Sequence, residues 1–173
     1  MAAIRCEAEA DFAEIHRLVK EAFATAEASD GEEQNFVKIL RSGSRYLPEF
    51  ALVAQEKEML IGHIMLTKLR FLGPEGEAKG MLLLAPLCVK QEFRNRGIGG
   101  ALIQEACRRA QEAGYRAVFL LGNPNYYCRY GFCCIEKYGI RPMPEGLPLK
   151  NCMVRPLGKE TLESAAGGIA FLE

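Results

Sequence analysis

The feature that most constrains this chain lies near its middle. An apolar run, a turn of glycine and arginine, and an amphipathic segment follow one another there without a break. Met81–Val89 is apolar on both faces and contains Pro86. It is far short of the ~20 residues that span a bilayer, so it reads as a buried central strand. Residues 90–97 follow as Lys-Gln-Glu-Phe-Arg-Asn-Arg-Gly. Ile98, Leu102, Ile103, Ala106, Ala110 and Ala113 then recur at helical spacing until Gly114 ends the pattern. The first turn of a helix has backbone N–H groups without internal partners, and the helix dipole adds positive potential there. Gly97, Gly99 and Gly100 leave those groups unshielded, and Arg94 and Arg96 add formal charge. The segment 94–100 therefore predicts a cradle for a diphosphate.

Two familiar diphosphate sites are excluded by residue identity. A dinucleotide fingerprint starting at Gly97 needs glycine or alanine at 102, where Leu102 stands. A P-loop needs Gly-Lys followed by Ser or Thr, and Gly158-Lys159 is followed by glutamate.

The flanking sequence predicts one α/β domain over residues 1–173. A short strand at 4–9 precedes a helix capped by Asp11, with Phe12, Ile15, Leu18, Val19, Ala22 and Phe23 on one face. After a polar loop at 25–31, a second helix at 33–41 turns Phe36, Val37 and Leu40 inward and stops at Gly43. Strands at 50–55 and 60–69 form a hairpin through 56–58, and 72–80, with three glycines and a proline, reads as a turn. A strand at 116–121, a turn with a short helix at 123–130, and late strands at 133–136 and Cys152–Pro156 complete the pattern. The last dozen residues are weakly patterned.

Composition narrows the function classes. With 22 basic and 22 acidic residues the formal net charge is zero, so no global field attracts nucleic acid or an anionic membrane. No signal-peptide pattern opens the chain. The seven cysteines are odd in number and lack framework spacing, which predicts free thiols in a reducing cytoplasm. Cys128, Cys133 and Cys134 lack the paired spacing of a structural zinc site, and no metal is expected.

The residues now support a resemblance. Arg94-x-x-Gly97-x-Gly99, after a strand and leading into a helix, resembles the R/Q-x-x-G-x-G/A motif of the GNAT superfamily of N-acetyltransferases. Further on, Gly122-Asn-Pro-Asn-Tyr-Tyr-Cys-Arg-Tyr-Gly-Phe132 resembles the G-[ND]-P-x-Y-Y-x-R-[FY]-G-F run of the YhbS-like branch. The resemblance is good over about residues 50–136, looser before and weak beyond Tyr138. It implies a mixed central sheet of about six or seven strands with a splayed central pair, flanked by about four helices.

It also implies acetyl-coenzyme A as co-substrate and a primary amine, on a small molecule or a peptide, as acceptor. Residues Arg94, Asn95, Arg96, Gly97, Ile98, Gly99 and Gly100 would hold the pyrophosphate. Leu87 N–H would meet the acetyl carbonyl within the stretch Leu87, Cys88 and Val89, and Val89 would bond the pantetheine. Asn125, and less so Asn123, would bond the pantetheine from the other side, although both also suit a plain turn around Pro124. Tyr127 would be the acid that protonates the departing thiolate, a role open to a phenol with pKa near 10. In such folds the acceptor cleft is built from about 25–45 and 139–150.

The residues leave the base open among Glu92, His63, Glu33 and an ordered water, with His63 read as structural. A ping-pong route through Cys88 or Cys128 has no histidine placed by sequence to activate it. Two competing readings are a non-catalytic acetyl-CoA sensor or scaffold, and a CoA thioesterase. Oligomeric state is open between monomer and homodimer.

Overall fold

The computed structural model describes residues 1–173 except Ala28, Glu160 and Thr161. In chain order the elements are β1 (Ala3–Cys6), α1 (Phe12–Phe23), α2 (Glu33–Ser42), β2 (Ala51–Glu56), β3 (Met59–Lys68), β4 (Phe71–Gly73), β5 (Gly76–Ala78), β6 (Met81–Val89), α3 (Ile98–Glu112), β7 (Ala117–Leu121), α4 (Pro124–Tyr127), β8 (Cys133–Cys134), β9 (Arg141–Met143), β10 (Cys152–Pro156) and β11 (Ile169–Phe171). Hydrogen bonds order seven strands as β1-β2-β3-β6-β7-β10-β8 and four others as β5-β4-β11-β9. The larger sheet is mixed: β6 and β7 run parallel, and the pairs β1–β2, β2–β3, β7–β10 and β8–β10 run antiparallel. By contacts the chain divides into two compact units, Met1–Thr67 with Ala85–Arg109, and Lys68–Leu84 with Ala110–Glu173.

In the first unit, α1 buries Ile15, Leu18, Val19 and Ala22, an i, i+3, i+4, i+7 stripe. They pack with Ala51, Val53, Leu60, Met65 and Cys88 from the strands. Each large aliphatic side chain so buried contributes about 1.5–3 kcal/mol. Asp11 precedes this helix but makes no side-chain cap. Its carboxylate turns back, accepting from Ala8 N–H at 2.7 Å and from both Arg5 guanidinium nitrogens at 2.7 and 2.9 Å.

The second helix buries Val37, and Leu40 is half-buried, but Phe36 is 37% exposed. Gln34 is buried in its place and donates to Gly31 O at 2.9 Å. Phe36 lies about 100° around the helix from Val37 and falls outside its buried face.

In the second unit, 72–80 is a hairpin, not a plain turn. Phe71↔Ala78, Leu72↔Glu77 and Gly73↔Gly76 pair across β4 and β5. The weakly patterned C-terminal stretch supplies β11, antiparallel to β4 and parallel to β9. The expected strand at 133–136 shrinks to the two residues of β8 before a 3-10 turn at Ile135–Tyr138.

The third helix ends as its sequence predicts. Gly114 adopts φ +86°, Tyr115 N–H donates to Ala110 O and Gly114 N–H to Gln111 O, both at 3.0 Å. This is the Schellman pattern, which satisfies carbonyls the helix leaves unpaired.

Candidate active site

The cradle begins where β6 ends. A 3-10 turn at Gln91–Phe93 leads into residues 94–97, and α3 starts at Ile98. Asn95 (φ 60°) and Gly97 (φ 79°) both take left-handed backbone conformations. A Cβ at Gly97 would meet nothing within 4 Å, so glycine is needed there for its dihedral rather than for space. Ala101 N–H is the first amide of the helix to reach a backbone carbonyl, donating to Gly97 O at 3.0 Å. Among the described residues, no backbone N–H from 95 to 100 donates to a backbone carbonyl. Gly99 and Gly100 are buried, whereas Arg96 is exposed with its guanidinium over the Phe93 ring at 5.0 Å.

The helix reaches the sheet through Gly62 on β3. A Cβ there would lie 2.9 Å from Leu102 Cδ1, 3.2 Å from Ile98 Cγ2 and 3.3 Å from Cys88 O, so glycine lets α3 pack closely without shifting these groups. Sequence reading missed this glycine, which a mid-strand position facing a helix could have flagged.

The Arg94 guanidinium lies against main-chain carbonyls. Its Nη2 donates to Ala22 O at 2.8 Å, and its Nε to Val89 O at 3.2 Å. The guanidinium clamps two main-chain carbonyls beside the cradle.

Leu87, Cys88 and Val89 lie on β6. Lys90 N–H donates to Ile61 O at 2.8 Å. By strand alternation the Leu87 and Val89 amides then point to the opposite edge. Register with β7 runs Met81↔Ala117, Leu82↔Val118 and Leu83↔Phe119, while β6 continues to Val89. The Cys88 thiol is buried, and that burial pushes its pKa up to about 12. This removes it as a nucleophile at neutral pH.

In the second unit Tyr127 closes α4. Its ring meets Tyr126 edge-on at 4.9 Å and Phe132 at 5.7 Å. It lies against Gly122, where a Cβ would stand 2.5 Å from Tyr127 Cε2. Gly122 is thus a second missed glycine, and Asn151 ties it on both sides, Nδ2 donating to Gly122 O (3.1 Å) and its own carbonyl accepting Gly122 N–H (2.9 Å). Burial, then the neighbouring Tyr126 phenol, raises the Tyr127 pKa well above the ordinary tyrosine value, so it stays protonated at neutral pH. Asn123 caps the helix, its Oδ1 accepting Asn125 N–H at 2.9 Å. That is the turn-forming role open to it from sequence. Asn125 itself is exposed.

The candidate bases separate by environment. Glu92 is exposed on its 3-10 turn. Glu33 Oε2 is buried without a partner among the described residues. His63 is fully buried, and its Nε2 is 2.9 Å from Glu7 Oε2. A carboxylate only accepts, so Nε2 carries the hydrogen; Nδ1 has no partner among the described residues.

The other Glu7 contacts are Arg41 Nε (2.8 Å) and Nη2 (3.0 Å) and the Tyr46 hydroxyl (2.7 Å). Burial alone would raise the Glu7 pKa; hydrogen bonds from His63, Arg41 and Tyr46 outweigh it and hold the carboxyl at about 2. Sequence reading missed this network, whose members are scattered along the chain.

Each segment expected to build the acceptor cleft lines a cavity within its own unit. One of 350 Å³ lies between α1 and α2, with Phe12, Val37, Lys38 and Arg41 among its walls. Another of 230 Å³ is lined by Arg141, Met143 and Glu145.

The Acetyltransferase (GNAT) family matches residues 12–132. The chain belongs to the GNAT family of acetyltransferases. Within it the chain falls in the YhbS-like branch. It is 32% identical over 171 residues to YhbS, an uncharacterized N-acetyltransferase of Escherichia coli strain K12, covering 98% of this chain and 96% of the relative. It is 31% identical over 146 residues to the uncharacterized N-acetyltransferase YjhQ of the same strain, covering 83% and 77%. The crystal structure of E. coli YhbS in complex with CoA matches with a TM-score of 0.85 at 25% identity, over 99% of this chain and 89% of that one. A GNAT family acetyltransferase from Brucella melitensis in complex with acetyl-CoA matches at 0.74 and 29% identity, over 93% and 91%.

Proposed function

We propose that this GNAT protein moves an acetyl group directly from acetyl-CoA to a primary amine, with residues 1–173 acting as one domain. The observation that carries the reading is the row of amides from 95 to 100, at the start of α3, that donate to no backbone carbonyl among the described residues, in a chain of this family. Such amides, with the helix dipole behind them, suit a pyrophosphate. The relatives solved with CoA and acetyl-CoA support the same donor.

When bound, acetyl-CoA supplies an activated acyl carbon. The chain's own groups then have separate tasks. Leu87 N–H, outside the β3 ladder, is the donor for oxygen charge that develops as the amine adds. One such donor is worth about 2.7–4 kcal/mol in the transition state. Val89 and Asn125 serve the pantetheine. Loss of the C–S bond leaves a thiolate, and the Tyr127 phenol gives it a proton. Burial that raises the tyrosine's pKa keeps the phenol protonated, and so able to donate, at neutral pH. The amine's own proton leaves to a base within the acceptor cleft or to water.

Purified protein, acetyl-CoA and a library of primary amines, with products read by mass spectrometry, test this. Acetylated amine must form at a rate proportional to enzyme. Tight acetyl-CoA binding with no acetylated product across the library would leave the sensor reading standing instead. Acetate released without any amine would mark a thioesterase.

A further inference from the structure

The cavity between α1 and α2 lies away from the donor cradle. Arg94 ties the cradle to Ala22 O, near the C-terminal end of α1. Phe12 and Ala13, which line the cavity, open the same helix. Ten residues separate Phe12 from Ala22, about 15 Å of helix. The cavity holds 350 Å³, a volume suited to a small organic molecule. Phe12, Ala13 and Val37 give it apolar walls. Phe36 and Ile39, the exposed apolar residues of α2, do not line it, so these walls are separate from that exposed face.

Its electrostatics are one-sided. No carboxylate stands among the lining residues. Glu7 takes Arg41 through Nε and Nη2, while the guanidinium carbon sits 3.8 Å over the Phe12 ring. Arg41 Nη1 is left without a carboxylate among the described residues. Lys38 is exposed and pairs with no acid among the described residues. Its helix neighbours three and four positions away are Gln34, Asn35, Arg41 and Ser42, none of them acidic. The first turn of α1 and the last turn of α2 both line the cavity, so their dipoles oppose and the side chains set the sign.

We propose that this cavity is a second ligand site, for a small monocarboxylate with an apolar body. The body packs on Phe12, Ala13 and Val37, and the two carboxylate oxygens lie between Lys38 Nζ and Arg41 Nη1. Glu7 already balances the charge of Arg41, so Lys38 supplies the net attraction and Arg41 the direction of its N–H groups. A bare phosphate would bring charge but nothing for the walls to bury. The site does not depend on the cofactor reading.

Naphthoate, with its neutral amide as control, tests this on the full chain by NMR titration of the backbone amides. Wild type binds naphthoate saturably, with a Kd on the order of 1 mM or below, and the amide at least about tenfold more weakly. The shifts fall at 12–16 and 34–42 and spare 95–100. Lys38→Gln weakens naphthoate about tenfold and leaves the amide unchanged, because only the charged hydrogen bond is lost. Ala13→Phe, at an exposed position, fills the cavity and abolishes binding of both. An unchanged Tm shows each variant folded, and Lys38→Gln decides alone if the phenylalanine variant does not fold.

Equal affinity for the acid and the amide would overturn the proposal, because the site would then not read charge. So would the absence of saturable binding, shifts centred on 95–100, or undiminished naphthoate affinity in Lys38→Gln. Shifts at 12–16 and 34–42 that grow with protein concentration alone would overturn it as well, and would make the cavity an interface between copies of this chain.

Discussion

Two polar centres of the first unit treat hydrogen bonding in opposite ways. At Glu7 a fully buried carboxylate is saturated by Arg41, Tyr46 and His63. At 95–100 a row of amides has no backbone acceptor among the described residues. Buried polar groups in native proteins are almost always partnered, and an unmade bond costs about 1–3 kcal/mol where water cannot replace it. A centre that completes its bonds internally holds the fold. One that leaves donors open on an exposed turn leaves them to water or to a ligand.

The largest expected effect lies on the saturated side. Glu7→Ala leaves the Arg41 guanidinium, 13% exposed, without its carboxylate. Breaking such a pair costs about 3–5 kcal/mol, or about 10 °C in Tm for a chain of this size. Calorimetry reads the loss, while CoA affinity of the protein still folded at low temperature stays near wild type. The pH dependence agrees in sign. A carboxyl held at about 2 in the fold, against an ordinary 4.5, contributes stability that is whole above pH 4.5 and is lost as pH falls toward 2. Integrated, this is on the order of 3 kcal/mol, and Glu7→Gln should flatten that part of the stability curve. An unchanged Tm in Glu7→Ala would break the comparison.

The open side should respond in reverse. Gly97→Glu puts a carboxylate and a strained left-handed residue beside the amides. It should weaken CoA at least ~100-fold in titration calorimetry, while the αL position itself costs about 1–2 kcal/mol of stability. Retained affinity would show that the amides are not the phosphate site.

Tyr127→Phe sharpens the functional half. Its ring packing survives and only the phenol proton goes, so kcat should fall about 100-fold with little change in CoA affinity. Unchanged kcat across amines would remove the tyrosine from the chemistry.

The smallest effect is expected at Glu105, whose carboxyl is also held at about 2, by Arg108 and then Arg109. That carboxylate is 24% exposed on α3 and its partners more so. Glu105→Ala should cost only about 0.3–0.5 kcal/mol, read as a Tm shift near the noise. The same pKa with such different consequences would show that burial, not the shift, decides what a charge is worth.

What could be read from sequence follows from what leaves a periodic trace. The long strands β3 and β6, and the stripes of α1 and α3, repeat often enough to be recognised. The turn at 94–100 was legible because glycines and a helix start carry their own chemistry. The three-residue strands β4, β5 and β11 show no alternation to detect, and their pairing is decided by partners far away in the chain. Phe36 was misplaced because a ten-residue helix leaves its inward face open by one position, and Gln34 occupies it. Arg94 was read by charge and neighbourhood, yet two carbonyls claim its guanidinium, one of them 72 residues away. Gly62 and Gly122 are needed for what presses against them, which is a property of the packed state.

The shielded thiol of Cys88 also makes this protein its own clock. Cys107 and Cys152 are buried with it, whereas Cys6 and Cys128 are exposed. Disulfide reagents attack thiolates they can reach, so the two exposed sites should label at once. Labelling of Cys88 must wait until the surrounding strands part. Followed by mass, that slow phase would count openings of the native state, with no dye, tag or added denaturant.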